Sequence, residues 1–378
     1  MRILFHVQHL LGVGHLKRAA MIARAAAAMG HDITVASGGP PLPGVDFGAA
    51  RIIQLPPART ADASFRVLID PTGHPVDDAW KIRRTAALEA AFAATAPELV
   101  LIESFPFGRR ALRFELEPLV TWTRRAGAPL ASSVRDILVA KSPDKRALMV
   151  ETARRWFDAV LVHGDPALVT LGASFPEADQ IANLIRYTGY VTAPPPAAVP
   201  DGDGAGEVVV SVGGGAVGLP LLEAAMAARP LCGPLAAVPW RLLCGPDLGA
   251  TAVATLRDRA GPGIIIEPAR PDFAALLARC RVSVSQAGYN TMMDLLHARC
   301  PAVVVPFAAG GETEQTQRAH LFQHRGLLQV VAEATLTPAA LAAAIARAVA
   351  APRPAPGEVQ LDGAAETVRL LATLAAPR

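Results

Sequence analysis

Residues 208–220 are Val208-Val209-Val210-Ser211-Val212-Gly213-Gly214-Gly215-Ala216-Val217-Gly218-Leu219-Pro220. The β-branched run predicts a buried strand, the glycines a tight turn, and Pro220 the first turn of a helix. The glycines fit the pattern G-x-G-x-x-G, in which a phosphate or a packed helix can approach the backbone closely. A dinucleotide site would also need an acidic residue after the next strand, where this chain has Gly245-Pro246. The stretch therefore predicts an α/β unit with a phosphate-binding or close-packing loop.

The same alternation of apolar runs and alanine-rich helical stretches extends along the whole chain, which is typical of βαβ units. In the first half the predicted strands are Ile3–Val7, Asp32–Ser37, Arg51–Leu55, Leu99–Glu103, Pro129–Val134, Ala159–His163 and Arg186–Val191. In the second half they are Val208–Val212, Arg241–Cys244, Gly263–Glu267, Val282–Ser285 and Ala302–Pro306. The pattern implies an α/β fold with two mostly parallel sheets.

Two segments rich in proline and glycine suggest how the chain is divided. The first, at 192–206, predicts a linker between an N-terminal domain at 1–191 and a C-terminal domain at 207–350. The second opens a C-terminal tail at 351–378 that contains a predicted helix at Ala364–Leu374. The sequence leaves open whether this helix covers the C-terminal domain or crosses back to the N-terminal one.

Composition excludes several classes of protein. The 378 residues are 52% hydrophobic, but no run approaches the roughly 20 apolar residues of a spanning helix, so no transmembrane segment is expected. No signal peptide is evident at the N-terminus, and the four cysteines form no C-x-x-C pair, so a cytoplasmic location and core thiols are expected. The formal net charge of +3 is too small to predict a nucleic-acid partner.

A second glycine turn follows the first predicted strand. Gly12-Val13-Gly14-His15 opens a predicted helix, whose N-terminal N–H groups favour an anion, and His15 can accept a proton near neutral pH. A tight turn with a packed histidine is an equally good interpretation of these residues. Glu103 and Arg135 also follow predicted strands, either as candidates for the acceptor side of a site or as ordinary loop residues.

A third segment places polar side chains after two neighbouring strands. Ser285-Gln286-Ala287-Gly288-Tyr289-Asn290-Thr291 starts a predicted helix that also contains Asp294. Glu314 and Gln315 follow the next strand, at the end where ligands of open α/β sheets bind. Carboxylate and amide groups suit sugar hydroxyls. These residues predict a ligand site.

Taken together, these motifs resemble those of the GT-B nucleotide-sugar glycosyltransferases, in their MurG-like branch. The resemblance implies two Rossmann-like domains facing a cleft, with a nucleotide-sugar donor on the C-terminal domain and an acceptor on the N-terminal one. The donor-binding residues that it implies are Ser211, Gly213, Gly214, Gly215, Gln286, Gly288, Asn290, Thr291, Asp294, Glu314 and Gln315. Asp294 falls where relatives hold the ribose diol, although most of them carry Glu there. Gly12, Gly14, Glu103 and Arg135 are the acceptor-side candidates.

The resemblance also implies an activity. The expected enzyme is an inverting hexosyltransferase that moves a sugar, first N-acetylglucosamine, from a UDP-sugar to a small-molecule or peripheral acceptor. His15 is the candidate general base. The Asp-x-Asp triplet of this chain, Asp201-Gly202-Asp203, lies in the predicted linker, so metal independence and the absence of any cofactor besides the UDP-sugar co-substrate are expected.

Two other classes of function remain open. A nucleotide-sugar hydrolase or a UDP-sugar 2-epimerase would use the same fold and donor site, and a non-catalytic protein could bind the nucleotide-sugar without turnover. Neither the acceptor nor the oligomeric state follows from the residues.

Overall fold

The computed structural model describes residues 1–10, 14–60, 67–193, 201–213, 218–246, 248–308, 313–353, 355 and 357–376. The strands in these ranges are β1 (Arg2–Val7), β2 (Asp32–Ser37), β3 (Arg51–Gln54), β4 (Arg59–Thr60), β5 (Leu68–Ile69), β6 (Leu99–Glu103), β7 (Leu130–Arg135), β8 (Ala159–His163), β9 (Ile185–Tyr187), β10 (Val208–Ser211), β11 (Trp240–Cys244), β12 (Ile264–Pro268), β13 (Val282–Gln286), β14 (Ala302–Val305) and β15 (Gln329–Val330).

The helices in the same ranges are α1 (Gly14–Ala28), α2 (Asp78–Thr95), α3 (Arg113–Arg125), α4 (Pro143–Trp156), α5 (Leu219–Ala228), α6 (Ala250–Arg259), α7 (Phe273–Arg279), α8 (Tyr289–Ala298), α9 (Glu314–His324), α10 (Pro338–Ala350) and α11 (Gly363–Ala375). None of them is both long and apolar enough to cross a membrane.

The chain forms two compact units. The first contains Met1–Thr192 together with Gln360–Arg378, and the second contains Ala193–Val359. The predicted linker at 192–206 includes the start of the second unit, and residues 194–200 lie outside the described ranges.

The first unit is built on a parallel sheet in the order β3-β2-β1-β6-β7-β8-β9. Its central strands are buried on both faces, which explains their nearly continuous apolar sequence. Ile3, Phe5 and Val7 pack on the side of α1 and α11, whereas Leu4 packs on the side of α2 and α3. This alternation follows from the two-residue period of a strand.

The helix of the C-terminal tail completes this first sheet. The returning chain pairs with the end of the N-terminal segment, because Tyr190 N donates to Gln360 O at 2.8 Å and Gly363 N donates to Tyr190 O at 3.1 Å. Helix α11 then packs against α1, with Val368 and Leu371 fully buried. The predicted tail helix therefore lies on the first unit.

The second unit contains a parallel sheet in the order β12-β11-β10-β13-β14-β15, with its core on one face formed with α5 and α10. The predicted strands of both halves are present, with bounds shifted by a few residues. Two features were not predicted from the sequence, the short antiparallel pair β4 and β5 and the edge strand β15. Each of these strands has only two residues, too few for an alternating pattern to show.

Candidate functional site

Both sheets have a point at which the strand order reverses. In the first unit the chain runs from β1 to β2 and β3 on one side and then continues with β6 on the other. In the second unit β10 is followed by β11 and β12 on one side and by β13 on the other. Ligands of open α/β sheets bind at the carboxyl ends of strands at such points. The predicted site residues concentrate at these two positions.

His15 and Glu103 meet at the reversal point of the first sheet. His15 lies in the first turn of α1, just after β1, and Glu103 is the last residue of β6. The Nδ1 atom of His15 lies 2.5 Å from Oε1 of Glu103. The Glu103 side chain is 1% exposed and that of His15 is 21% exposed. Since a carboxylate only accepts, this contact places the imidazole proton on Nδ1 and leaves Nε2 as the basic nitrogen.

Two arginines and a serine complete the surroundings of Glu103. Arg18 donates to Oε1 at 2.5 Å, while Arg109 and the Ser104 hydroxyl donate to Oε2 at 3.2 and 2.8 Å. Arg18 is one helical turn after His15, so both side chains project from the same face of α1. We call His15, Arg18, Glu103 and Arg109 the Glu103 cluster. The carboxylate of Glu103 thus accepts four hydrogen bonds, three from the cluster and one from Ser104.

The electrostatics of the cluster keep Glu103 charged and His15 neutral. Burial alone would raise the pKa of Glu103, but His15, Arg109 and Arg18 outweigh it and hold this pKa well below its usual range. The pKa of His15 is lowered to about 4, chiefly by burial. The charge of Glu103 raises this pKa, whereas the charges of Arg109 and Arg18 lower it further. A neutral imidazole oriented by a carboxylate can accept a proton at neutral pH.

Of the other acceptor-side candidates, Gly14 and Arg135 lie within the described residues. Gly14 begins α1, and a Cβ atom built there would meet no atom of the described residues within 4 Å. Arg135 ends β7 two strands away from β1, and its charge lowers the pKa of Arg109 after the larger effect of burial. Gly12 lies outside the described residues.

A buried polar network that the sequence analysis missed supports the loops around this site. The Arg84 side chain of α2 is fully buried and donates to both oxygens of Glu115, to Oε1 of Gln8, and to the carbonyl oxygens of Gly38 and Pro56. These five hydrogen bonds use all five N–H groups of the guanidinium. They tie together the segments that follow β1, β2 and β3.

The donor-side candidates of the second unit begin at β10. Ser211, its last residue, lies beside Ser285 of β13 in the parallel register, and the Ser285 hydroxyl is buried without a hydrogen bond in the described ranges. Gly213 has a φ of +65°, which an L-residue rarely adopts, and its N–H lies 3.4 Å from the Ser211 hydroxyl. A Cβ atom at Gly218 would lie 2.1 Å from Val212 Cβ, so this glycine serves close packing. Gly214 and Gly215 lie outside the described residues.

Helix α8 starts at the carboxyl end of β13. Gln286 ends the strand, Gly288 caps the helix, and Asn290 and Thr291 lie in its first turn. The first-turn N–H groups have no acceptor within the helix, and no acidic side chain lies in that turn. The nearest atom to a Cβ built at Gly288 is Thr291 Oγ1 at 4.0 Å, so the approach to these N–H groups is open. Asp294 lies one turn further along.

Glu314 and Gln315 occupy the first turn of α9, beyond β14. Glu314 is buried and accepts a hydrogen bond of 2.9 Å from Arg318, which in turn lies over the ring of Tyr289. Gln315 accepts from the backbone N–H of Phe307 at 3.2 Å. Both predicted sugar-contacting side chains are therefore held in place by neighbours in the same unit. In the described ranges, no group of three His, Cys, Asp or Glu side chains could hold a metal ion.

Comparison with known proteins relates this chain to glycosyltransferases. Residues 209–366 match the glycosyltransferase family 28 C-terminal domain. The chain is similar to two UDP-N-acetylglucosamine--N-acetylmuramyl-(pentapeptide) pyrophosphoryl-undecaprenol N-acetylglucosamine transferases. The protein of Xanthomonas axonopodis pv. citri (strain 306) is 36% identical over 114 residues, which are 30% of this chain and 26% of that protein. The protein of Synechococcus sp. (strain JA-2-3B'a(2-13)) is 32% identical over 156 residues, 39% of this chain and 40% of that protein.

Solved structures share the fold over the full length. CalG4, the calicheamicin glycosyltransferase, has a TM-score of 0.62 at 17% identity, covering 99% of this chain and 94% of that one. MurG of Acinetobacter baumannii has a TM-score of 0.60 at 14% identity, with 99% and 100% covered. VinC in complex with dTDP has a TM-score of 0.61 at 16% identity, with 99% of both chains covered. The predicted GT-B fold is confirmed.

Proposed function

We propose that this chain is a nucleotide-sugar glycosyltransferase, because it combines the GT-B fold with a glycosyltransferase family 28 C-terminal domain at residues 209–366. The donor that we propose is a UDP-sugar, with N-acetylglucosamine as the sugar to test first. The names of the Xanthomonas and Synechococcus relatives support this choice, since both name UDP-N-acetylglucosamine. The four free cysteines support a reducing, cytoplasmic location.

The observation that carries the catalytic part of the proposal is the contact of 2.5 Å between His15 and Glu103. In the proposed reaction, Nε2 of His15 takes the proton of an acceptor hydroxyl. The acceptor oxygen forms a bond to C1 of the sugar as the bond from C1 to the diphosphate oxygen breaks, and UDP leaves. Attack from the face opposite the leaving group inverts the configuration at C1. Glu103 orients His15 and stabilises the imidazolium that forms.

Negative charge develops on the diphosphate as it leaves, and the second unit offers fixed donors for it. We assign this role to the first-turn N–H groups of α8, together with Ser211 and Gly213 at the end of the neighbouring strand β10. Gln286, Asn290 and Thr291, where β13 ends and α8 begins, would contact the same diphosphate. Asp294 would hold the ribose diol, and Glu314 and Gln315 the sugar hydroxyls. We propose that these protein donors replace a metal ion.

The substitution His15→Ala tests the role of the base. We expect turnover of a UDP-sugar to fall about 10²-fold to 10⁴-fold, because proton transfer from the acceptor loses its base, while calorimetric binding of UDP stays unchanged. His31→Ala, just after the opposite end of α1, is the matched control and should leave both measurements unchanged.

Full turnover by the His15→Ala protein would refute the proposed base. Assays without an acceptor separate the alternatives, since rapid release of free sugar would indicate a hydrolase and a C2 epimer would indicate an epimerase. Binding of UDP-sugars without turnover of any kind would indicate a non-catalytic binding protein.

A further inference from the structure

Two residues of the loop after β6 have a backbone conformation that residues with a side chain rarely adopt. Ser104 has a φ of +65° and Arg109 a φ of +60°. The other non-glycine residues of positive φ in the described ranges are Ala96 and Arg299, which directly follow α2 and α8. A left-handed residue is common after the last turn of a helix. No helix ends at Ser104 or Arg109, so their conformation has another cause.

Hydrogen bonds on both sides of Ser104 hold it in this conformation. Its N–H donates to the carbonyl oxygen of Ser133 in β7 at 2.8 Å, and its own carbonyl oxygen accepts from Gly108 N–H at 2.6 Å. The carbonyl oxygen of the next residue, Phe105, accepts from the buried Ser132 hydroxyl at 2.7 Å. Left-handed residues with a side chain persist only where their surroundings enforce them, and they concentrate at functional sites.

The left-handed turn brings the Ser104 side chain back to Glu103. Successive side chains of a strand point to opposite faces, so an extended residue after Glu103 would direct its side chain away from the carboxylate. The Ser104 hydroxyl instead donates to Oε2 of Glu103 at 2.8 Å. Arg109, the second left-handed residue of the loop, donates to the same oxygen at 3.2 Å. Both strained residues therefore hold the oxygen that does not contact His15.

We propose that Ser104 is a positioning residue of the transfer reaction, whose hydroxyl fixes the rotation of the Glu103 carboxylate so that Oε1 faces Nδ1 of His15. The last torsion of a glutamate side chain is soft, and hydrogen bonds to Oε2 restrict it. The imidazole proton is thereby kept on Nδ1, and Nε2 remains the basic nitrogen. The inference rests on the proposed function, because it adds a residue that acts on the proposed base through Glu103.

Two substitutions separate the hydroxyl from the backbone strain. Ser104→Ala and Ser104→Gly both remove the hydroxyl, but only glycine adopts a positive φ without steric cost. We expect kcat to fall about 10-fold to 100-fold in both proteins, because each loses a hydrogen bond to a charged group, while KM for the UDP-sugar stays unchanged. The urea midpoint of Ser104→Gly should be higher than that of Ser104→Ala. Activity would then follow the hydroxyl and not the stability.

The matched control is Ala96→Gly, which removes the same kind of strain after α2. Its urea midpoint should rise, and its turnover should equal that of the wild type. Turnover restored to the wild-type level in Ser104→Gly would overturn the proposal, because Ser104 would then serve only the fold. Wild-type turnover in both Ser104 variants would overturn it as well, while the transferase activity stands.

A double variant shows whether Ser104 acts through Glu103. When Glu103→Gln and Ser104→Ala are combined, kcat should equal that of Glu103→Gln alone, because the carboxylate that Ser104 holds is already lost. Independent effects would multiply instead. A further loss of about tenfold or more in the double variant would therefore overturn the proposal.

Nitrogen-15 NMR of the imidazole gives a readout that needs no turnover. In the wild type at neutral pH the His15 proton should lie on Nδ1, and Ser104→Ala should show a mixture of the two tautomers. The His15 signals are assigned by their absence in His15→Gln. The same tautomer in Ser104→Ala and the wild type would overturn the proposal. If no UDP-sugar is turned over but the tautomer changes, the proposed function fails and the positioning of His15 by Ser104 stands.

Discussion

Glu103 is the residue on which the N-terminal site depends. Its two carboxylate oxygens accept hydrogen bonds from His15, Arg18, Arg109 and Ser104, so one buried side chain orients the candidate base and balances two cations. A buried carboxylate remains charged only with partners of this kind. The proposed catalytic role of His15 and the stability of the first unit therefore both depend on this carboxylate.

Replacing this carboxylate with the amide of the same shape separates charge from packing. In Glu103→Gln the amide can donate to His15 and favour the wrong tautomer, so we expect turnover to fall about 10²-fold to 10⁴-fold. We also expect the free energy of unfolding to fall by about 2–5 kcal/mol, because Arg18 and Arg109 lose their charged partner. UDP binding, measured by calorimetry, should not change.

The control for this variant is Glu98→Gln, which removes an exposed carboxylate paired with Arg2. Exposed ion pairs contribute about 1 kcal/mol or less, so its turnover and stability should remain close to those of the wild type. Wild-type turnover by Glu103→Gln would show that Glu103 does not orient His15.

The pH dependence of activity is a second prediction at this scale. The pKa of His15 is lowered to about 4, so His15 stays a neutral base throughout the neutral range. The acidic limb of the kcat/KM profile should therefore lie near pH 4 rather than near 6.5, the ordinary value of histidine. A limb at pH 6.5 would contradict the environment described for His15.

Stability should follow the same titration. Between pH 6.5 and about 4 the unfolded chain binds a proton at His15 that the folded chain does not, so the free energy of unfolding falls as the pH falls. The slope from this group is at most about 1.4 kcal/mol per pH unit. Urea unfolding of the wild type and His15→Gln at several pH values measures it, and the stability difference between the two proteins should change across this window.

At the scale of elements, one side chain of helix α2 forms hydrogen bonds to three loops. Arg84 bonds to Gln8 after β1, to Gly38 after β2 and to Pro56 after β3, and Glu115 of α3 balances its charge. A Cβ atom at Gly38 would lie 2.2 Å from a terminal nitrogen of Arg84, so the backbone after β2 packs directly against the guanidinium group. The network joins the loops at the carboxyl ends of three neighbouring strands of the first sheet.

The variant Arg84→Met tests this role. It leaves Glu115 buried without its guanidinium partner, and we expect a loss of about 3–5 kcal/mol in the free energy of unfolding. Urea unfolding measures the loss. Arg83→Met, its exposed neighbour on the same helix, should change stability by no more than about 0.5 kcal/mol. Equal midpoints for the two variants would show that the network does not stabilise the unit.

Local patterns predicted the elements well but not the contacts between them. The strands follow from apolar runs, and Pro220 lies at the start of α5 as predicted. His15 and Glu103 were both candidates from their positions after strands, yet they are 88 residues apart and meet because β1 pairs with β6. Arg18 had a local signal, since it is one helical turn after His15. Arg109 had one as well, since it lies in the loop only six residues after Glu103. Arg84 had none, because only the folded chain brings it to its partners.

At the scale of the whole molecule, the two units have the same type of parallel sheet, but only the second is formed by one continuous segment of the chain. Each has a parallel sheet whose strand order reverses once. His15 and Glu103 lie at the reversal point of the first sheet, and Ser211 and Gln286 lie at that of the second. The second unit is one continuous segment, Ala193–Val359, whereas the first is completed by residues that follow it. The stability of the first unit therefore depends on both ends of the chain.

Two matched core variants test this dependence. Leu371 of α11 and Leu341 of α10 are both fully buried, so replacing either with alanine should cost about 2–5 kcal/mol. Leu371→Ala should lower hydrogen-exchange protection in residues 1–192, and Leu341→Ala should lower it in residues 193–359. Loss of protection in 193–359 caused by Leu371→Ala would contradict the assignment of α11 to the first unit.

The discontinuity of the first unit also sets the order of events during synthesis. Residues 360–376 leave the ribosome only after the whole of 193–359, which takes on the order of ten to thirty seconds at about 5–20 residues per second. During that interval the apolar face of α1 that α11 later covers stays exposed to the cell. The first unit therefore exposes this apolar face until α11 has been synthesised, whereas the second unit needs no later residues to complete it.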